Sequence, residues 1–173
     1  MKTLSKWLCL AVLSGGCSGA TATAPDSTAL DRTAQALHTA VATHRANAAG
    51  AATPADCKTE LDRYQAQVSP MVGQLEDGGA AFDACMDDLG HPAGADLGQT
   101  CVSMHDELAQ YASQACTFTD MTRNRQLDGQ HCDRMDTFAA HVRDRVQDMD
   151  HMGPGGGMMA TGAGCSPMTG MTR

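Results

Sequence analysis

The chain has 173 residues and a formal net charge of −8, and 42% of its residues are hydrophobic but only 3% aromatic. This length fits one domain with a modest core. The scarcity of aromatic residues argues against an immunoglobulin-like sandwich, a β-barrel or an aromatic platform for stacking nucleic-acid bases. Because the charge is acidic, we also expect no nucleic-acid partner.

The first residues have the pattern of a secretory signal. Lys2 and Lys6 precede a short apolar run over residues 7–13. A membrane-spanning helix needs about 20 apolar residues, so this run is too short to be one. A charged start followed by a short apolar stretch is typical of a signal peptide. We therefore predict an exported chain with a signal peptide over residues 1–16 and a linker over residues 17–26.

The small residues before Cys17 resemble the lipobox of bacterial lipoprotein precursors, although Ser14 stands where such boxes usually have leucine. In that family the cysteine becomes the lipidated first residue of the mature chain. The resemblance implies a lipid anchor on Cys17 and a membrane-anchored lipoprotein on the periplasmic side of the cell envelope. The alternative is ordinary cleavage near residue 22, which would leave a soluble periplasmic or secreted protein.

Residues 27–152 show the pattern of a helical bundle domain. Apolar residues recur at alternating spacings of three and four, which is the seam of a left-handed bundle, and no stretch alternates long enough to be a strand. The first helix covers about 27–49, and the second begins at Thr53-Pro54. The third follows Asp96 and the fourth follows Asp128. We predict an all-α, antiparallel up-down four-helix bundle stapled by disulfides.

The segment over residues 54–89 would be much longer than the other helices if it formed a single one. Gly78 and Gly79 offer a natural break, and Pro70 favours a kink or a second break. We therefore predict that the second helix ends near residue 77 and that residues 80–89 form a short extra connector helix.

Removing Cys9 with the signal and lipidating Cys17 leaves an even number of cysteines, which in an exported chain indicates disulfides. Cys101 follows Cys85 at the same interval as Cys132 follows Cys116, and each pair joins one helix end to the start of the next. Such positions meet across an antiparallel helical hairpin. We predict two disulfides, Cys85–Cys101 and Cys116–Cys132.

Two further cysteines, Cys57 and Cys165, remain as a disulfide pair or as free thiols. The C-terminal segment is long enough for Cys165 to reach Cys57. An alternative pairing joins Cys57 to Cys116 and leaves Cys132 free.

The C-terminal segment carries the strongest metal-binding pattern. Residues 149–173 contain half of the chain's 12 methionines. Thioether sulfur suits Cu(I), and the segment resembles the Met- and His-rich copper-binding segments of bacterial envelope proteins. The candidate ligands are His151, Met152, Met158, Met159 and Met168. The alternative is that residues 153–173 are a disordered, low-complexity Gly/Met tail without a ligand.

The remaining histidines give weaker evidence for a metal site. His44 lies on the apolar stripe of the first helix, where we expect a half-buried histidine with satisfied hydrogen bonds. His131 and Met135 have the spacing of a metal-ligand pair on one helical face, but ordinary packing explains them as well.

Motifs of enzymes and zinc sites are missing: there is no Cys-x-x-Cys, His-Glu-x-x-His or Glu-x-x-His pattern, serine-nucleophile elbow or P-loop. We predict no catalytic residues. The expected function is that of an exported envelope lipoprotein, held at the membrane by its lipid, whose bundle is a binding or structural module for an unidentified protein partner. The alternative is a periplasmic copper-binding or copper-buffering protein that uses the C-terminal segment.

Overall fold

The computed structural model describes residues 26–88 and 96–152, without the side chains of residues 88 and 149–152. These ranges form four helices and contain no strand. The helices are α1 (Ser27–Gly50), α2 (Pro54–Asp88), α3 (Leu97–Gln114) and α4 (Met121–Met152). The prediction of an all-α, four-helix fold is confirmed.

The start of α2 follows the sequence signal closely. The Thr53 hydroxyl accepts a hydrogen bond from the backbone N–H of Asp56 at 3.2 Å, and the Asp56 carboxylate accepts one from the backbone N–H of Thr53 at 3.0 Å. This reciprocal arrangement is a capping box, and Pro54 occupies the first helical position, where its missing N–H costs nothing.

The predicted break in the second helix is wrong, because α2 runs unbroken for 35 residues through Pro70, Gly78 and Gly79. The predicted connector helix is the last part of α2. Both glycines serve close packing instead: a Cβ on Gly78 would lie 2.6 Å from Leu30 of α1, and one on Gly79 would lie 3.2 Å from the sulfur of Cys101 in α3. Their lack of a side chain lets α1 and α3 approach α2.

The start of α3 is capped by its neighbour rather than by its own N-cap residue. Asp96 occupies the N-cap position but makes no side-chain capping bond. The carboxylate of Asp83, in α2, accepts the backbone N–H groups of Leu97 at 3.1 Å and Gly98 at 2.7 Å. A group from another helix therefore satisfies two of the free N–H groups at this helix end.

Helix α4 begins earlier than predicted. It starts at Met121, where the Asp120 carboxylate accepts the backbone N–H of Thr122 at 2.9 Å. The first two turns are mostly polar, so the apolar pattern does not reveal them. Asp128, after which the fourth helix was predicted to begin, lies inside α4 and is buried.

The four helices enclose one core. Helix α1 packs against α2 and α4, and α3 packs against the same two helices. The core is mainly aliphatic, and its largest buried members include Leu37, Val41, Val68, Leu75, Met104, Met135 and Val142. Within the described ranges, Val102 is the one large hydrophobic side chain that is exposed. None of the helices in these ranges has the length and apolar character needed to cross a membrane.

Candidate functional site

A group of polar side chains is buried in the core, with members from all four helices. His44 of α1 and His131 of α4 are 1% and 0% exposed. Polar side chains are rarely this deep unless their hydrogen bonds are satisfied. We call the set the buried polar network: His44, Tyr64, Glu107, Tyr111, Asp128 and His131, with Glu60 at its edge, 12% exposed.

The first half of the network is centred on His44. Its Nδ1 lies 3.0 Å from Oε1 of Glu60, and its Nε2 lies 2.9 Å from the hydroxyl oxygen of Tyr111. The imidazole ring stacks on the ring of Tyr64, with the centroids 4.0 Å apart. One histidine thus joins α1 to both α2 and α3.

The second half is centred on His131 and has the same parts. Its Nδ1 lies 2.8 Å from Oε1 of Glu107, and its Nε2 lies 3.1 Å from the hydroxyl oxygen of Tyr64. Its ring stacks on Tyr111, with the centroids 3.8 Å apart. This histidine joins α4 to α2 and α3.

The two halves interlock. Each histidine stacks on the tyrosine of the helix that supplies its glutamate, and each is hydrogen-bonded to the tyrosine of the other half. In both α2 and α3 the glutamate precedes the tyrosine by four residues, which places both side chains on one helix face. Moving one ring would therefore disturb both halves.

On the outer side of each half, an arginine is hydrogen-bonded to the glutamate. Arg63 donates two hydrogen bonds to Glu60, at 2.9 and 2.7 Å, and Arg134 donates two to Glu107, at 2.6 and 2.8 Å. Burial alone would raise the pKa of each glutamate. The hydrogen bonds from the arginine and the histidine outweigh burial and lower the pKa of both carboxyl groups. Both glutamates are therefore ionised at neutral pH.

Asp128 makes the two halves different. The hydroxyl of Tyr111 donates a hydrogen bond to the buried Asp128 carboxylate. Burial, with this hydrogen bond as the next contribution, raises the pKa of Tyr111. Burial also raises the pKa of Tyr64. Both phenols are therefore neutral at neutral pH.

The protonation of His131 follows from its surroundings. Burial lowers the pKa of this imidazole to about 4, although the hydrogen bond to Glu107 acts in the opposite direction. His131 is therefore neutral at pH 7. Nδ1 carries the proton, because its neighbour Glu107 is an ionised carboxylate that can only accept.

The hydrogen-bonding groups of the network are occupied by one another and by the two arginines. Among the described residues, no buried side-chain nitrogen or oxygen lacks a hydrogen-bond partner. No group of three or more His, Cys, Asp or Glu in this part of the chain could hold a metal ion. Surface grooves occur elsewhere, one beside Glu76 and His105 and another beside His38 and Arg143.

A disulfide lies at the same end of the bundle as the network. Cys57, one turn before Glu60, is bonded to Cys116, and their Cα atoms are 5.6 Å apart. This is the alternative pairing that the sequence allowed. Cys116 has a φ of 61°, a left-handed conformation that is costly for a residue other than glycine.

The two predicted disulfides, Cys85–Cys101 and Cys116–Cys132, are wrong. Cys101 and Cys132 are buried free thiols. Cys85 is disulfide-bonded, and its partner is not among the described cysteines. The early start of α4 places Cys132 about three turns into the helix rather than in its first turn, and Cys101 is packed against Gly79. Cys132 is therefore away from the helix junction that the prediction assumed, whereas Cys101 lies near the start of α3 as predicted but faces Gly79 of α2.

Both free thiols have low reactivity in the folded protein. Burial raises the pKa of Cys101 to about 12 and that of Cys132 to about 11, with smaller contributions from nearby carboxylates. Few thiolates form at neutral pH, so neither cysteine is suited to act as a nucleophile.

The other predicted site residues are distributed as follows. Cys17, Met158, Met159, Cys165 and Met168 lie outside the described residues. His151 and Met152 end α4, but their side chains are not described. Their roles in lipid attachment, disulfide bonding and copper binding therefore remain predictions.

Two histidines and their neighbours show what sequence reasoning found and missed. His44 has satisfied hydrogen bonds, as expected, but is fully rather than half buried. His131 belongs to the network and Met135 to the aliphatic core, so the two do not form a ligand pair. Glu60 and Glu107 were missed; the repeated Glu-x-x-x-Tyr spacing was the available signal.

Fold and site together define a disulfide-linked helical bundle with a buried His–Tyr–Glu network. No protein-family model, curated protein or solved structure shows a significant match to the chain.

Proposed function

We propose that the protein is an exported bacterial envelope lipoprotein whose helical bundle is a rigid, non-catalytic binding or structural module. The observation that carries this proposal is the Cys57–Cys116 disulfide. Structural disulfides form and persist in oxidising compartments and are rare in the cytosol. The charged, then apolar, start of the chain and the lipobox-like residues before Cys17 agree with such a destination.

The contacts between helices support an up-and-down arrangement with antiparallel neighbours. Arg143, late in α4, contacts Asp31, early in α1, at 3.1 Å. Arg45, late in α1, contacts Asp133, early in α4, at 2.8 Å. The disulfide likewise joins the start of α2 to the end of α3. We infer a compact bundle whose ends are held by different contacts.

The buried polar network supports a structural role for the core. Its members use their hydrogen-bonding groups on one another, and the arginines outside them complete the set. A partner would therefore meet the outside of the helices. Within the described ranges Val102 is the one large hydrophobic side chain that is exposed, so we expect a partner to recognise mainly charged and polar groups.

Lipid attachment is tested with the full-length chain and a Cys17→Ser variant, with Ser18→Ala as the matched control. We expect the wild type and the control to sediment with membranes and to carry a lipidated N-terminal peptide in mass spectrometry. The Cys17→Ser variant should move to the soluble fraction. Unchanged partitioning of Cys17→Ser would overturn the lipoprotein assignment.

Export is tested separately through the disulfide. The full-length chain and a chain lacking residues 2–16 are trapped with a thiol-alkylating reagent in intact cells. We expect Cys57 and Cys116 to be oxidised in the first and alkylated in the second. Oxidation in both would show that the disulfide does not report export, and alkylation in both would contradict an oxidising destination.

A second candidate function rests on the methionines of residues 149–173. A chain with this segment would bind Cu(I) and buffer it or pass it on. The test is an anaerobic Cu(I) titration against a competing chelator, with the mature chain and a version that ends at Met152. Much weaker binding by the shortened chain would support the copper function. Equal binding by both would remove it.

A further inference from the structure

We propose that the buried polar network is an acid-sensitive contact among the four helices, in which His44 carries two ring protons at neutral pH and His131 carries one. When the pH falls, the next proton that the network takes up goes to His131. The proposal concerns the core of the bundle and does not depend on lipid attachment or copper binding.

The first step is the proton of Tyr111. Its hydroxyl has one proton and two neighbours, the Asp128 carboxylate and Nε2 of His44. An ionised carboxylate can only accept, so Tyr111 donates to Asp128. The phenol oxygen then accepts a hydrogen bond from Nε2–H of His44.

The second step is the other nitrogen of His44. Nδ1 faces Glu60, which is ionised and can only accept. Nδ1 must therefore donate as well. With donors on both sides, the ring of His44 is an imidazolium.

The third step is His131, where no counterpart of Asp128 is described. Nδ1 donates to Glu107, and Nε2 is left to accept the hydrogen bond from the hydroxyl of Tyr64. This ring is satisfied in its neutral form. Burial, which lowers the pKa of His131, acts in the same direction.

The charge balance supports this assignment. The network and its two arginines then contain three cations and three anions: His44, Arg63 and Arg134 against Glu60, Glu107 and Asp128. With Asp128 ionised as the acceptor of the Tyr111 hydroxyl, two neutral histidines would leave one anion uncompensated, and two charged histidines would leave one cation uncompensated. Either case is costly in a buried site.

Other ionisable groups near the network are either paired outside it or neutral. On α1, Arg45 is paired with Asp133 and Asp136 of α4. On α4, Cys132 stays a neutral thiol, because burial raises its pKa. On α2 and α3, Tyr64 and Tyr111 stay neutral for the same reason.

Acid would therefore act first on His131. A proton on Nε2 of His131 turns this acceptor into a donor, so the Tyr64 hydroxyl can no longer donate to it. The hydroxyl must rotate, and its proton is left without a hydrogen-bond partner. The added cation is also unbalanced. Because Tyr64 stacks on His44, the disturbance spreads to the other half and loosens the network end of the bundle.

The proton count is tested by ¹⁵N NMR of the histidine rings in the chain with Cys17→Ser, which leaves the described residues unchanged. At pH 7 we expect two protonated nitrogens on His44, and on His131 a protonated Nδ1 with a bare Nε2. The same protonation state on both histidines in this one sample would overturn the proposal, so the test does not depend on a mutant that folds.

A substitution tests the role of Asp128. Asp128→Leu removes the acceptor, so Tyr111 should donate to Nε2 of His44 and His44 should lose one proton. Asp133→Leu, at an exposed carboxylate of the same helix, is the matched control and should leave both histidines unchanged. A doubly protonated His44 in folded Asp128→Leu would contradict the mechanism.

Hydrogen exchange tests where acid acts. As the pH falls from 6.5 towards 4, uptake of one proton raises the opening constant by about tenfold per pH unit, after correction for intrinsic exchange. We expect this loss of protection in residues 60–64 and 107–111 before residues 75–86. Loss at residues 75–86 first, or an opening constant that does not change between pH 6.5 and 4, would overturn the proposal.

Discussion

Nε2 of His44 lies 2.9 Å from the hydroxyl oxygen of Tyr111, and 67 residues of chain separate the two. His131 and Tyr64 are joined in the same way, at 3.1 Å and with the same separation. The correspondence exchanges α1 with α4 and α2 with α3, so it relates the helices in reverse order rather than as a tandem repeat. The likeness thus lies in the packing of the core.

The two tyrosine hydroxyls should differ in their effect on stability. Tyr111→Phe strips a partner from both His44 and Asp128, whereas Tyr64→Phe strips one from His131 alone. Unsatisfied buried groups cost about 1–3 kcal/mol each, and more when charged. We expect a loss of about 3 kcal/mol for Tyr111→Phe and about 1 kcal/mol for Tyr64→Phe, measured by urea unfolding with the disulfides intact. A larger loss for Tyr64→Phe would contradict the described connections.

Stability should fall on mild acidification. The folded state holds the pKa of His131 at about 4, below its ordinary value of 6.5, so the unfolded chain binds more protons between these values. The contribution of neutral His131 to the free energy of unfolding is complete above about pH 6.5. It is lost as the pH falls towards 4, by about 3 kcal/mol in total. Glu60 and Glu107, whose pKa values are lowered, add a further loss at still lower pH.

The measurement for this pH effect is denaturant unfolding at several pH values. His131→Gln should flatten the dependence between pH 6.5 and 4, and His38→Gln, at an exposed position, is the matched control. An unchanged slope in His131→Gln would show that another group is responsible.

The Cys57–Cys116 disulfide should contribute substantially to stability. It spans 59 residues, for which the chain-entropy model gives about 4 kcal/mol. We expect a loss of this size in Cys57→Ala/Cys116→Ala, measured by the free energy of unfolding. Cys57→Ala/Cys116→Gly should be about 1 kcal/mol more stable than that double variant, because glycine adopts a φ of 61° without strain. Equal stability of the two would argue against strain at this position.

Cys101 and Cys132 should resist alkylation in the folded protein. Both are buried with raised pKa values, so they should react only after unfolding. Mass spectrometry after labelling with and without denaturant measures this. The same peptide map identifies the partner of Cys85. Rapid labelling of Cys101 or Cys132 without denaturant would contradict their burial.

Two glycines of α2 should respond in opposite ways to alanine. A Cβ on Gly79 would lie 3.3 Å from the backbone of α3 at Gly98, whereas one on Gly73 would meet nothing within 4 Å. We expect Gly79→Ala to cost about 1–3 kcal/mol through overpacking. Gly73→Ala should gain up to about 1 kcal/mol through helix propensity. Thermal unfolding of the pair measures the contrast, and a loss for both would argue against the packing explanation.

Apolar periodicity and the capping box at Thr53 were enough to predict the helical class and the start of α2. They failed where a residue serves a distant partner. Gly78 and Gly79 read locally as a helix break, but they are contact points for α1 and α3. Asp128 locally resembles a residue that precedes a helix, because nothing in the adjacent sequence reveals Tyr111. The hydrogen bond from the Tyr111 hydroxyl is what stabilises the buried carboxylate. Nothing in the local sequence indicates that Glu60 and Glu107 belong to the network. A charged side chain is stable in a core only with partners that the folded chain supplies.

The capping of α3 by Asp83 has a consequence for how the α2–α3 pair comes apart. At one end the pair is joined by a covalent bond between sulfurs, and at the other by a carboxylate that accepts two backbone N–H groups. A reductant breaks the Cys57–Cys116 bond and does not act on the Asp83 hydrogen bonds. A substitution such as Asp83→Ala does the reverse. These two contacts of one helix pair can therefore be removed independently, by different chemistry.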